Sequence, residues 1–267
     1  MISNLRFELS FKNILQLENK LNFCKFNKIT NINIPCKGII KKDFFNSTIS
    51  YISKNYQEFN VTYHYSLYHQ YSQNKEKSYQ DLLDFLKNSY LKGNYEILLV
   101  SGSNKKKNFD VLNVLSKIKE EKNLKVKLGI AYNPYLKEYY EETSERERFE
   151  RKLSSGLINS IWFQYGTDIK VLNNEVNYLK KVAKFEKINL FGSLLIPSKQ
   201  FIARFKFRPW KGVHISEKYL YSLNDFYDFT RDIVCFYQKN NITPVIETDF
   251  TSLEKLDSIY SFFSKDS

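Results

Sequence analysis

The chain has 267 residues, 42% of them hydrophobic, so it can bury a sizeable core and is not a disordered segment. Its formal charge of +12 comes mostly from lysine. Apart from Lys41-Lys42 and Lys105-Lys106-Lys107, both short and loop-like, the lysines are dispersed over helix-patterned stretches. That reads as a compositional bias towards Lys, Asn, Ile, Phe and Tyr, whereas a nucleic-acid partner would call for a basic stripe with interleaved aromatics.

Leu5 to Phe11 alternates apolar and polar residues, the period of a strand. Asn13 to Phe23 carries Ile14, Leu15, Leu17 and Leu21 at helical spacing. Ile29 to Ile34 reads as a second strand closed by Pro35, and Asp43 to Tyr56 as a helix with Phe45, Ile49 and Ile52 on one face. Phe59 to Tyr65 is a third strand. The next helix has an apolar stripe of Tyr79, Leu82, Leu83, Phe85, Leu86 and Tyr90, with Gly93 as its C-cap. Glu96 to Val100 is a continuous apolar run, as in a strand buried on both faces of a parallel sheet, and ends in Ser101-Gly102-Ser103-Asn104. Phe109 to Lys122 is helical. Val126 to Tyr132 and Ile158 to Gln164 are strand-like runs flanking a charged, helix-patterned segment, which makes a βαβ unit. Val171 to Phe185 is a helix, Ile188 to Ile196 a strand ending at Pro197, and Leu223 to Asn240 a long helix. Between them Gln200 to Tyr221 is the least periodic region and contains Phe207-Arg208-Pro209-Trp210-Lys211-Gly212-Val213. Ile242 to Thr248 and Leu253 to Phe263 are the last strand and helix.

Eight strands alternating with helices predict an α/β fold, a (β/α)8 TIM barrel in a single domain over residues 1–267, with an irregular segment near 200–221. A doubly wound open sheet is the alternative. It calls for a glycine-rich turn after the first strand, and Ser10 to Lys20 contains no glycine.

Cys24, Cys36 and Cys235 have no metal-ligand spacing and read as buried thiols in a reducing compartment. No signal peptide and no bilayer-spanning run is legible, so a soluble cytoplasmic protein is expected, with no membrane partner. One mouth of a barrel would collect Glu8, Asn33, His64, Ser101 to Asn104, Tyr132, Asn133, Gln164, Asp168 and Glu247. That rim lacks the paired acids of a glycosidase, a metallohydrolase cluster and a Schiff-base lysine, so no metal is expected. Its amides suit a ligand rich in hydrogen-bonding ring edges. Each candidate also has a plainer reading. Glu8 and His64 can satisfy neighbours in the core, Gly102 can be a tight turn instead of a phosphate cradle, and Gln164 can bond a loop instead of a heterocycle. Arg151 and Lys152 would ordinarily be solvated helix charges.

On these residues the chain resembles the methylenetetrahydrofolate reductase family, flavin-dependent (β/α)8 barrels. Phe7-Glu8 looks like the family's Phe-Glu on the first strand, and Tyr63-His64 lies where the family has Pro-His near the flavin. Leu99 to Asn104 aligns with Leu-Arg-Gly-Asp, and Ala131-Tyr132 with Pro134 resembles the turn that packs on FAD. Glu150-Arg151-Lys152 through Gly156 is similar to the helix whose cations face the cofactor phosphates, and Phe163-Gln164 with Asp168 to the strand whose glutamine holds the pterin. Leu195 to Pro197 resembles the family's apolar Leu-Pro at the seventh strand.

The resemblance implies a reductase converting 5,10-methylenetetrahydrofolate to 5-methyltetrahydrofolate in one-carbon metabolism and methionine biosynthesis, with FAD and NAD(P)H. It implies Glu8 as the catalytic acid. His64, Gly102, Ala131, Tyr132, Arg151 and Lys152 would bind cofactor, and Gln164 and Ser103 substrate. The expected partner is a folate, with no nucleic acid; homo-oligomerisation stays open. Where the family has Arg-Gly-Asp this chain has Ser101-Gly102-Ser103, which leaves a second implication open: a non-catalytic folate- or flavin-binding barrel acting as an accessory protein.

Overall fold

The computed structural model describes residues 4–36, 42–91, 96–102, 109–121, 124–136, 144–182 and 188–264. Its strands are β1 (Arg6–Glu8), β2 (Asn31–Ile34), β3 (Asn60–Ser66), β4 (Glu96–Val100), β5 (Lys127–Tyr132), β6 (Ile158–Phe163), β7 (Asn189–Leu194) and β8 (Ile242–Ile246). They close in sequence order into a parallel barrel, with β1 pairing β8 through Arg6↔Val245 and Phe7↔Ile246. This is the (β/α)8 barrel expected from the strand–helix alternation. The open-sheet alternative fails because β1 has a partner on each side: β8, and β2 through Leu9 N donating to Asn33 O at 2.9 Å.

The helices are α1 (Ile14–Phe26), α2 (Lys42–Asn55), α3 (Lys75–Leu91), α4 (Val111–Ile118), α5 (Glu145–Leu153), α6 (Ile169–Val182), α7 (Lys199–Phe207), α8 (Glu217–Tyr221), α9 (Leu223–Lys239) and α10 (Leu253–Ser261). Short polar side chains start several of them. Asn13 accepts from Gln16 N ahead of α1, and Ser198, Ser222 and Ser252 do the same ahead of α7, α9 and α10. Two of these helices correct the expectation of an irregular segment at 200–221. Ser198 caps α7, whose buried Phe201 and Phe205 stand one turn apart, and α8 buries Tyr219. Only the stretch between α7 and α8 is irregular. Lys42, expected in a loop, opens α2, while Lys41, Gly93 and Lys105-Lys106-Lys107 lie outside the described residues.

Backbone packing divides the chain into two compact units, and the division runs through β1, β5 and β6 themselves. One unit holds Glu8–Ala131 and Arg146–Ser160. Its core is built on Phe45 stacked on Phe85 at 5.6 Å and Tyr65 tilted on Phe85 at 4.7 Å, which ties α2 and α3 to β3. The other unit holds Met1–Phe7, Tyr132–Glu145 and Ile161–Ser267. There Phe7 packs on Phe250 at 4.6 Å, and Tyr237 of α9 lies against Gly192 of β7.

Alternate residues of a barrel strand face the lumen. In the first unit that set has polar members: Thr62 and Asn33 are fully buried, and Ser160 Oγ donates to Glu96 Oε1 at 2.5 Å. In the second, Arg6 is only 4% exposed, with its guanidinium 5.9 Å from the Trp162 ring and 5.7 Å from Phe191, two rings stacked at 4.0 Å. A cation held this way offsets its desolvation partly through the ring faces. Among the described residues no helix is long and apolar enough to cross a membrane. Cys24 and Cys36 are buried as expected; Cys235 is exposed on α9, which corrects its reading as a buried thiol. Burial pushes the Cys24 thiol up to about 12.

Candidate functional site

Three polar side chains meet at the carboxyl ends of β1, β2 and β3. Glu8 closes β1, Asn33 is the penultimate residue of β2, and His64 follows Thr62, the residue paired with Asn33, by two on β3. Spacing by two keeps His64 on the same face as Thr62. Glu8 is 8% exposed, and its Oε2 stands 3.8 Å from His64 Nδ1. On the other side of the ring, Nε2 lies 3.2 Å from Asn33 Nδ2. A carboxyl in so dry a place needs polar neighbours, and an imidazole beside it forms a unit able to hold or release a proton.

The turn after β4 places Gly102 in the open at φ +89°; a Cβ there would stand 2.6 Å from Tyr68 Cβ and 3.0 Å from Ser66 Oγ. Tyr68 N donates to Ser101 O at 3.1 Å, so the turn lies tight against the segment following β3. The glycine is explained by that close approach, which favours the tight-turn reading. Ser103 lies outside the described residues.

Ala131 and Tyr132, neighbours on β5, part company because successive strand residues point to opposite sides. Ala131 is exposed. Tyr132 is 1% exposed, and its hydroxyl donates to the carboxylate of Glu175 on α6. Tyr132 is therefore an anchor between strand and helix. On α5, Arg151 is exposed while Lys152 is only 5% exposed, with Nζ 3.5 Å from Ala131 O. Lys152 is not the solvated helix charge its surroundings suggested. Its stem crosses the helix–strand layer and carries the ammonium to the end of β5.

At the end of β6, Gln164 N donates to Tyr132 O at 2.9 Å, and Gln164 Oε1 accepts from Tyr165 N at 3.0 Å. Its acceptor is thereby engaged, while its Nε2 lies 3.7 Å from where a Cβ on Gly212 would stand. Gly212 belongs to the stretch between α7 and α8. Asn133 Nδ2 donates to Gly212 O at 3.0 Å, Thr167 N donates to His214 O at 2.9 Å, and Ser216 N donates to Thr167 Oγ1 at 2.7 Å. The Phe207 to Val213 segment, which the resemblance did not cover, is thus laid along the ends of β5 and β6. Tyr135 supports it from below, stacked on His214 at 5.9 Å with its hydroxyl donating to Gly166 O at 3.1 Å. Burial, and then the charge of Asp168, hold the Tyr135 phenol above its usual range, so it stays a donor.

Asp168 serves the local structure, because its Oδ1 accepts from Val171 N at 3.0 Å and caps α6. Asp168→Ala will cost about 1 kcal/mol of stability by urea denaturation, and Asp168→Asn far less, because asparagine caps as well. Equal losses for both would mean that the charge, not the cap, matters.

Two features escaped the sequence reading. Ser193 Oγ donates to the carboxylate of Glu247 where β7 and β8 end, and Tyr237 OH donates to Ser193 O at 2.9 Å. The polar lumen positions Arg6, Thr62, Glu96 and Ser160 went unmarked as well. A cavity of about 290 Å³ lined by Asn46, Tyr65, Gln70, Asp81 and Asp84 opens beside α2 and α3, on the helix side of β3. Among the described residues no group of three His, Cys, Asp or Glu side chains is placed to hold a metal ion.

No protein-family model matches the chain, and no curated protein matches it in sequence. Solved structures do match in fold. One is an uncharacterized protein from Clostridium thermocellum that binds two copies of 5-methyl-5,6,7,8-tetrahydrofolic acid; the TM-score is 0.61 at 12% identity, over 97% of this chain and 92% of that one. A thermostable aldo-keto reductase matches with a TM-score of 0.56 at 12% identity, over 99% and 91%. A chitinase active domain from Pyrococcus furiosus matches with 0.55 at 10% identity, over 91% and 83%. At such identities the likeness is one of fold, and a fold of this kind serves unrelated chemistries.

Proposed function

We propose that the protein is a flavin-dependent reductase of the methylenetetrahydrofolate reductase type, which uses NAD(P)H to convert 5,10-methylenetetrahydrofolate to 5-methyltetrahydrofolate. The observation that carries this reading is the buried carboxyl of Glu8 against His64, at the strand end where the resemblance expects a general acid. A folate-binding protein of the same fold supports the substrate class, since it shows that such a barrel can take a folate.

In this reading Glu8 gives its proton to a nitrogen of the methylene bridge. The carbon–nitrogen bond there breaks, its electron pair goes to the protonated nitrogen, and the remaining iminium carbon becomes the hydride acceptor. Hydride is the chemistry that a flavin, reduced by NAD(P)H, would supply there when bound. Fit to a phosphate-bearing cofactor rests on Lys152, whose ammonium reaches the carbonyl of exposed Ala131, so Lys152 and Ala131 would hold it. Arg151, exposed on the same helix, would add screened charge only. Gln164 keeps its NH2 for a pterin ring edge, its carbonyl being bonded to Tyr165 N.

A second reading is a non-catalytic folate- or flavin-binding barrel, accessory to one-carbon metabolism. Ser101-Gly102-Ser103 standing in place of the family's Arg-Gly-Asp favours it. The visible spectrum of the purified protein separates the two. The reductase requires a flavin band that NAD(P)H bleaches and methylenetetrahydrofolate restores. A colourless protein that still binds folate supports the accessory reading, and a protein that binds neither ligand contradicts both.

A further inference from the structure

The contacts of His64 bear on its protonation as well as its position. Asn33 is fully buried, and its Nδ2 stands 3.2 Å from His64 Nε2. An amide NH2 only donates, so Nε2 is the acceptor and carries no proton. A neutral imidazole has one N–H, which then sits on Nδ1, the nitrogen 3.8 Å from Glu8 Oε2.

We infer that Asn33 is a positioning residue that holds His64 in the Nδ1-protonated tautomer, so that the ring turns an N–H, and not a basic lone pair, towards Glu8. This deepens the reading of Glu8 as the acid and rests on it. The reason lies in what the other tautomer would do. With Nε2 protonated, Nδ1 would turn a basic lone pair on Glu8 and compete with a substrate nitrogen for a proton given there. With Nδ1 already protonated, the ring offers Glu8 an N–H and no base. At 3.8 Å the Nδ1–H is beyond hydrogen-bond length from Oε2, so it orients the carboxyl by charge and dipole.

The protein has only three histidines, His64, His69 and His214, so nitrogen-15 NMR of histidine-labelled protein resolves each ring, with His69→Gln and His214→Gln for assignment. In the ligand-free wild type, the His64 Nδ1 resonance should be of the protonated type and Nε2 of the bare type. Asn33→Asp supplies an acceptor in place of the donor and should move His64 to an Nε2-protonated form. A wild-type His64 protonated at Nε2 overturns the inference, as does an Asn33→Asp spectrum that leaves both His64 nitrogens unchanged. If Asn33→Asp fails to fold, the wild-type spectrum alone decides. No cofactor or turnover enters this measurement, so its failure is distinct from failure of the reductase reading.

Discussion

If the protein is the proposed reductase, replacing Glu8 by glutamine will lower folate-dependent turnover by at least about 100-fold, while reduction of bound flavin by NAD(P)H changes by no more than about twofold. Glutamine has the size of glutamate and can keep hydrogen bonds to the neighbours of a residue 8% exposed at the end of β1, so the barrel should persist. What it lacks is an acidic proton. The step that opens the methylene bridge needs that proton, whereas passage of hydride from a pyridine nucleotide to a flavin does not. Stopped-flow absorbance reads the two half-reactions separately. Loss of both would contradict the role given to Glu8 and point to a structural carboxyl. Loss of neither would remove Glu8 from the chemistry altogether.

Gly192→Ala is expected to destabilise the protein strongly. A Cβ on Gly192 would stand 2.4 Å from Tyr237 Cζ and 2.7 Å from its hydroxyl, in a region where Tyr237 is 1% exposed. The ring must give way, and with it goes the hydrogen bond from Tyr237 OH to Ser193 O. Overpacking together with a lost buried hydrogen bond should cost roughly 2–4 kcal/mol by urea denaturation. Combining Gly192→Ala with Tyr237→Leu should cost less than the sum of the two single changes, because the smaller side chain removes the clash. Simple additivity, or a loss for Gly192→Ala within about 0.5 kcal/mol, would contradict the close approach described for α9 and β7.

The barrel was legible because each strand is a short apolar or alternating run followed by a patterned helix. Val126 to Tyr132 and Ile158 to Gln164 coincide with β5 and β6 to within a residue. What the runs cannot express is which side of a strand is inside. Arg6, a polar member of the alternating first strand, suits a solvent-facing side, but closure of the sheet turns it inward, where it lies over Trp162 and Phe191. The same effect hides the site: Glu8 and His64 stood out as chemical residues, yet the role of Asn33 appears only once β2 and β3 are in register. The surroundings of Lys152 and Tyr132 were hidden for a related reason. A long side chain on a helix can bury its charge against a strand, and a tyrosine one residue past an exposed alanine faces the helix layer. In α7, alternating aromatic and basic residues obscured the Phe201–Phe205 pair, though Ser198 after Pro197 was a capping signal.

The claim that the ends of these strands receive a folate is tested most directly by calorimetric titration of the protein with 5-methyltetrahydrofolate. The expected result is saturable binding that Gln164→Ala weakens by about tenfold or more, the cost of leaving one ring-edge hydrogen bond unmade. Absence of binding by the wild type, or binding that Gln164→Ala leaves unchanged, would contradict it.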